Sequence, residues 1–397
     1  KSDGAKFTVR NAKSRESHKW LKKGNELFDQ EKFDEAIACY DEVIKINPKN
    51  KWGWINRGEA LIQLARFDEA TKFYDEISEA FSKSADVWFS KGFALRSLNN
   101  FSDALIALDK AIELRPKFAD AWNGKGVILS DMKMHDEAIQ AYDKAIKIRP
   151  KFALAWSNKG GVLANQGKFD QAIQAYDKAI ELDSKDAEIW NSKGIALADH
   201  KEYNEAIKAI DKAIEINPKN AIAWYNKGLV LYEKNMYDEA IKAFDRATAI
   251  DLKFADAWYF RGMALGQQGR HDEAIKAYDE VIKISDEAIR FNPQCAETWN
   301  TKGYALYEKD MYDEARIASD KAIELDPNNE DAWANKGFIL NKQGKYNEAL
   351  AALDRAIAIN PKYAKVWNKK GEAFNSLGRT TEANAAFAKA RELGYAG

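Results

Sequence analysis

The chain has 397 residues, 46% of them apolar and 31% charged, with a net charge of −1. That length exceeds one ordinary core and calls for a modular build. The near-neutral charge argues against a nucleic-acid binder, which needs a basic face, and no apolar run approaches a membrane span, so direct membrane insertion is not expected.

Residues 1–16, KSDGAKFTVRNAKSRE, are polar with a net charge of +3. They predict a flexible leader, or one extended along a groove through Phe7 and Val9. A chain that begins at Lys1 reads as a fragment or a processed form, and a removed signal peptide is compatible with it. The two cysteines, Cys39 and Cys295, are far apart in sequence, which predicts no disulfide framework and a reducing, cytoplasmic compartment.

From residue 17 onward the chain repeats. Tryptophan recurs at 20, 54, 88, 122, 156, 190, 224, 258, 299, 333 and 367, every 34 residues except for one step of 41. A glycine follows each four residues later, Gly24 to Gly371. Leucine follows three further on, Leu27 to Leu340, with Phe374 in the last unit, and alanine stands sixteen after each tryptophan, Ala36 to Ala383. All seven prolines close a unit, from Pro48 to Pro361. Offsets 0, +4 and +7 share one helix face, and the run DEAIQAYDKAIKI at 136–148 is a second periodic segment. Each unit is therefore helix A, a short turn and helix B. Glycine and alanine sit where two helices cross closely, tryptophan supplies buried area, and a lone pair cannot bury both faces, so units must stack. Residues 17–397 are expected to form a single solenoid of eleven units, with a seven-residue insertion in the eighth (255–295).

The pattern W-x-x-x-G-x-x-L, then alanine, an aromatic (Tyr40, Tyr142, Phe244) and proline resembles the tetratricopeptide repeat family over residues 17–397. The resemblance implies an all-α fold: an alpha-solenoid, a right-handed superhelix of antiparallel helix pairs with A helices on its inner face. It also implies a protein-binding role. One departure is consistent: the residue before each glycine is always Lys or Arg, Lys23 to Lys370. Helix B carries aspartate at one place in ten units, from Asp41 to Asp354 and including Asp279, and Ala388 in the eleventh. Since only the last unit lacks a following neighbour, each aspartate is expected to face the basic residue of the next unit.

The places two before, one after, two after and five after each tryptophan are expected to face the groove. Two after stand Asn56, Asn158, Asn226 and Asn335, with Ser90, Ser192 and Thr301 as polar stand-ins; Asn123, Asn191, Asn300 and Asn368 lie one residue earlier. An amide donates and accepts, so it can pair with any peptide backbone, and in long family members such an asparagine ladder holds extended peptides. Five after stand Phe93, Val127, Ile195, Leu229, Met263, Tyr304 and Phe338, joined near the insertion by Tyr225, Tyr232, Tyr259, Phe260 and Tyr307. They form an apolar stripe of the kind that marks a binding surface, or they pack between A helices. The carboxylate clamp of chaperone-cofactor members is poorly matched by Leu21, Asp86 and Ser90 in the first three units. In the last three, Asn335, Lys365 and Lys369 agree in type, making Lys365 and Lys369 candidate anion contacts, whereas Asn300 and Tyr304 do not agree.

The insertion lies in DEVIKISDEAIRFNPQ, residues 279–294. Seven residues are close to two turns, a phase slip of about 20°. One continuous helix, with Ile282, Ile284, Ala288, Ile289 and Phe291 on a common apolar face, is expected over a break at Ser285. His18, His135, His200 and His271 recur at no metal-like spacing, and no catalytic constellation, cofactor motif or metal site is read. The sequence thus describes a non-catalytic scaffold that holds a peptide or protein ligand in a concave groove. The alternatives are the substrate-recruiting array of a larger enzyme and a self-associating structural rod.

Overall fold

The computed structural model describes residues 2–395, with side chains from Lys13 onward. Among the described residues there are 22 α-helices and no strand, arranged as alternating A and B helices joined by short turns. The chain divides into two compact units, Lys1–His200 and Lys201–Gly397. In the first unit the A helices are α1 (Ser2–Asp29), α3 (Lys51–Gln63), α5 (Ala85–Ser97), α7 (Ala119–Asp131), α9 (Ala153–Asn165) and α11 (Ala187–Asp199). Its B helices are α2 (Phe33–Ile46), α4 (Phe67–Ala80), α6 (Phe101–Leu114), α8 (His135–Ile148) and α10 (Phe169–Leu182). The second unit has A helices α13 (Ala221–Glu233), α15 (Ala255–Gln267), α17 (Ala296–Glu308), α19 (Glu330–Lys342) and α21 (Ala364–Ser376). Its B helices are α12 (Tyr203–Ile216), α14 (Tyr237–Ile250), α16 (His271–Phe291), α18 (Tyr312–Leu325), α20 (Tyr346–Ile359) and α22 (Thr380–Glu392).

Residues 2–16, expected to be flexible or extended, are helical and continuous with the rest of α1. The segment has no proline, and Ala5, Lys6, Ala12, Lys13, Arg15 and Glu16 favour helix. The side chains of Phe7 and Val9 lie outside the described residues.

Burial follows the helix type. The B helix α12 buries one stripe, Ala206, Ala209, Ile210, Ala213 and Ile214. The A helix α5 buries residues around more of its circumference: Ala85, Val87, Ser90, Gly92, Ala94 and Leu95. A one-sided helix covers a surface, whereas an apolar surround marks a helix packed on several sides. Within a repeat, the glycine at +4 seats the large side chain of helix B. A Cβ on Gly126 would fall 2.5 Å from the Tyr142 ring, and one on Gly228 would fall 2.5 Å from Phe244.

The expected charge ladder is present. Ten basic residues pair across repeat boundaries at 2.5–2.8 Å: Arg57–Asp41, Lys91–Asp75, Lys125–Asp109, Lys159–Asp143, Lys193–Asp177, Lys227–Asp211, Arg261–Asp245, Lys302–Asp286, Lys336–Asp320 and Lys370–Asp354. In the insertion repeat the partner of Lys302 is Asp286 rather than the expected Asp279, because the inserted heptad carries a second aspartate into the same phase. Asp279 pairs with Lys309 instead. The same cations lie over tryptophan rings of their own repeats, Lys91 over Trp88 at 5.0 Å and Arg261 over Trp258 at 5.5 Å, whereas Arg57 lies over Phe73. The indole N–H in turn donates to a carbonyl six residues earlier, as Trp224 does to Pro218 (3.1 Å) and Trp367 to Pro361 (3.0 Å).

Helix α16 is continuous over 21 residues where the other B helices of the second unit have 13 or 14. Ser285 is buried within it, not at a helix start. Ile282, Ile284, Ala288 and Ile289 are half-buried. Phe291 departs from the expected shared face: it is 88% exposed at the last turn, where the helix outruns the neighbours that would cover it.

Two glycine substitutions separate packing from propensity. Gly126→Ala is expected to lower stability by about 1–3 kcal/mol, because the Tyr142 ring cannot retreat from a well-packed seat. Gly266→Ala on α15, with nothing within 4 Å of the added carbon, is expected to raise stability by about 0.5–1 kcal/mol through backbone entropy. Chemical denaturation of the two variants checks both signs.

Candidate functional site

Within each unit, neighbouring A helices touch one another, whereas no two B helices do among the described residues. A helices therefore crowd on the inner side and B helices splay on the outer. Polar side chains join successive A helices there: Asn56 Nδ2 donates to Asn25 Oδ1 (2.8 Å), Asn158 Nδ2 to Asn123 Oδ1 (3.0 Å) and Arg96 to Asp131 (2.6 Å).

Each unit holds a cavity on this inner surface. In the first, about 270 Å³ is lined by Val127, Ser157, Asn158, Gly161, Ser192 and the rings of Tyr142 and Tyr176, among others. Glycine at +5 of its repeat, Gly161, keeps the floor open. Burial raises the phenol of Tyr176 to about 12, and a hydrogen bond with Ser192 partly offsets it. In the second unit, a cavity of about 720 Å³ is lined by Tyr259, Phe260, Met263, Asn300, Thr301, Tyr304, Tyr363 and Lys365 together with Asp256, Glu297, Asp326, Glu330 and Asp331. Tyr259 and Tyr304 stand 5.9 Å apart, ring centre to ring centre.

Repeat after repeat, the sequence matches one known family. Tetratricopeptide repeat profiles match residues 24–64, 85–118, 119–152, 157–221, 191–252, 225–289, 296–329, 318–351 and 337–378. The chain belongs to the tetratricopeptide repeat family. None of the curated proteins matches it. Among solved structures it is similar to yeast Tom70 at 18% identity, covering 96% of this chain and 92% of that one, with a TM-score of 0.47. It is also similar to MamA at 28% identity, covering 42% of this chain and 96% of that one (TM-score 0.39). A third is YrrB, described as a TPR protein with an unusual peptide-binding site, at 26% identity over 46% of this chain and 95% of that one (TM-score 0.37). No helix among the described residues is long and apolar enough to cross a membrane.

The tetratricopeptide rows named from sequence fall into three groups. Asn158 and Val127 line the first cavity, and Tyr259, Met263, Tyr304 and Lys365 line the second. Asn56, Phe93, Ile195 and Leu229 lie outside both; Ile195 is exposed and the other three are half-buried. Asn226 is largely buried, and Tyr225 is spent on packing, 4.9 Å from the Phe254 ring and within stacking range of Phe244 and Phe260.

Two residues are corrected outright. Asn335 is fully buried, donating to Ser319 Oγ at 3.0 Å, and Phe338 is 2% exposed. The cause is local. Helix α18 has Ser319 where other B helices carry a large side chain, so Asn335 of the following repeat fills the space beside Gly303. The anion contact expected of Lys365 and Lys369 meets competing charges. Lys369 is held by both oxygens of Glu372 (3.0 and 2.9 Å), and Lys365 sits 5.4 Å over the Phe338 ring in a cavity of carboxylates. Burial lowers the Lys365 ammonium, and nearby Glu308 opposes that effect.

The row two before the tryptophans carries most of the unforeseen chemistry: Trp52, Asp86, Asp120, Leu154 and Glu188 in the first unit, then Ile222, Asp256, Glu297, Asp331 and Lys365 in the second. Trp52, Leu154 and Ile222 are among the most exposed large apolar side chains. The row is legible in the sequence as a position, and its mix of acidic and apolar residues is the signal.

Burial pushes the Asp256 carboxyl above its usual range, with Glu297 adding repulsion. A carboxyl raised on folding contributes stability that is fully present below the unfolded pKa and lost as pH rises through the folded one. Asp256→Asn is therefore expected to raise the Tm at pH 7, with the gain shrinking to nothing below about pH 4. Thermal scans of both proteins between pH 3 and 8 check the direction.

Proposed function

We propose that the chain is a non-catalytic scaffold whose inner A-helix surface holds an extended peptide or protein segment. The observation that carries this is the pair of inner-surface cavities, each lined by side chains from three or more successive A helices, with apolar, amide and aromatic groups among the lining. A ligand that spans several repeats is favoured over a compact one, because each repeat offers only a few side chains to it. Free amides pair with backbone groups of any sequence, and half-buried rings and aliphatic chains supply the area that selects among side chains. Family membership supports a protein-binding role in general.

A random 12-residue peptide library panned on the immobilised chain is expected to yield binders. Val127→Asp and Met263→Asp, which place charge on the two cavity walls, are expected to weaken ligands of the respective cavities at least tenfold. Ile106→Asp and Ile317→Asp, on exposed B-helix positions, are expected to leave them unchanged. Equal loss from inner and outer substitutions, by calorimetry or fluorescence anisotropy, would place the ligand elsewhere.

A further inference from the structure

We propose that the larger cavity, in the second unit, receives a basic side chain, arginine or lysine, from the bound segment; this rests on the scaffold reading above. The first ground is an acceptor without a donor. In the first unit, Asn123 Oδ1 is satisfied by Asn158, the residue 35 further along. The equivalent partner of Asn300 is Asn335, which is diverted to Ser319. Asn300 is only 8% exposed, lines the cavity, and its Oδ1 is left with no hydrogen-bond partner. A buried acceptor in that condition is costly until a donor arrives, and the terminal amide torsion is soft enough to turn the oxygen toward one.

The second ground is uncompensated charge. In the first unit, two acids two before the tryptophan are neutralised by the arginine that ends helix B of the same repeat, 29 residues later: Arg115 pairs with Asp86 at 2.9 Å and Arg149 with Asp120 at 2.5 Å. The corresponding places in the second unit, just before the closing proline, are Asn292, Asp326 and Asn360, so Asp256, Glu297 and Asp331 receive no such partner. Asp331 accepts the Tyr363 hydroxyl, at 2.8 Å. Among the described residues lining the cavity the one cation, Lys365, lies over the Phe338 ring with Asp331 and Glu308 near it, a single positive charge against five lining carboxylates. Among the described residues no three carboxyl, imidazole or thiol groups converge closely enough for a metal ion, so the charge suits an extended cation rather than a point ion. The rings of Tyr259 and Tyr304 add faces that attract a guanidinium or ammonium, and Met263 and Phe260 flank its methylene stem.

The test uses the full chain and four peptides, Ac-Ala-Leu-Xaa-Leu-Ala-NH2, with arginine, lysine, norleucine or glutamate at Xaa, followed by NMR of the Asn300 side-chain amide. The basic peptides are expected to bind at least tenfold more tightly than the norleucine and glutamate peptides and to shift that amide. Glu297→Gln and Asn300→Ala are each expected to cut the preference at least threefold, and two independent variants guard against loss of folding in one. Equal binding of all four peptides, or an unchanged preference in both variants, overturns the proposal. If library ligands bind the inner surface but carry no basic residue, this inference falls and the scaffold reading stands. If neither library nor peptides bind, both fall together.

Discussion

The structure depends on the basic side chain that closes each joint between repeats. It stands between the aspartate of the preceding helix B and, in most repeats, the tryptophan face of its own helix A, whose indole N–H ties down the carbonyl before the turn. Each element is weak alone: an exposed ion pair contributes about 0–1 kcal/mol, and a neutral hydrogen bond about 1 kcal/mol. Their value lies in repetition and geometry. A stacked array has no long-range core, so each joint must fix by itself the angle at which one pair meets the next. A cation that satisfies a carboxylate on one side and a ring face on the other does so in only one arrangement.

Because the joints are settled at the +3 and +4 places and on helix B, the rows at −2, +1, +2 and +5 are free to vary. They do so in different directions in the two units. The first unit neutralises its inner acids with arginines at helix ends and joins its asparagines to one another. The second has Asn292, Asp326 and Asn360 in place of those arginines, crowds aromatic rings around Tyr259 and Phe260, and loses one asparagine pair to a serine in α18. One scaffold thus carries two inner surfaces of different chemistry.

Much of this was legible in the sequence, because the repeat averages over eleven trials what a single helix leaves ambiguous. The tryptophan spacing fixed the pairing of helices, and the missing aspartate at Ala388 in the last repeat exposed the ladder. What stayed hidden were departures from the average. Asn335 and Phe338 occupy groove-facing places by number, yet both are buried: a serine in the preceding helix B draws Asn335 inward, and Phe338 packs with Leu353, Val366, Tyr307 and Tyr363. Phe291 belongs to the apolar face by phase, yet it extends past anything that could cover it. Periodicity reports the direction a side chain leaves its helix; whether another atom waits there depends on a neighbour in another helix, as Ser319 is to Asn335. Lys365 and Lys369 matched an anion clamp by type, but the charges around them, from Glu372, Asp331 and Glu308, have the opposite requirement.

The long helix α16 shows what the joint chemistry permits. Two extra turns change the length of an outer helix while returning an aspartate, Asp286, to the same bearing as the one it displaces, so Lys302 docks as in every other repeat. Outer-wall growth is thereby decoupled from the inner lining: a protruding tip ending in Phe291 can be lengthened or trimmed by whole heptads while the cavity-facing rows keep their places. A single array can therefore diversify at its rim and at its hollow as two independent surfaces.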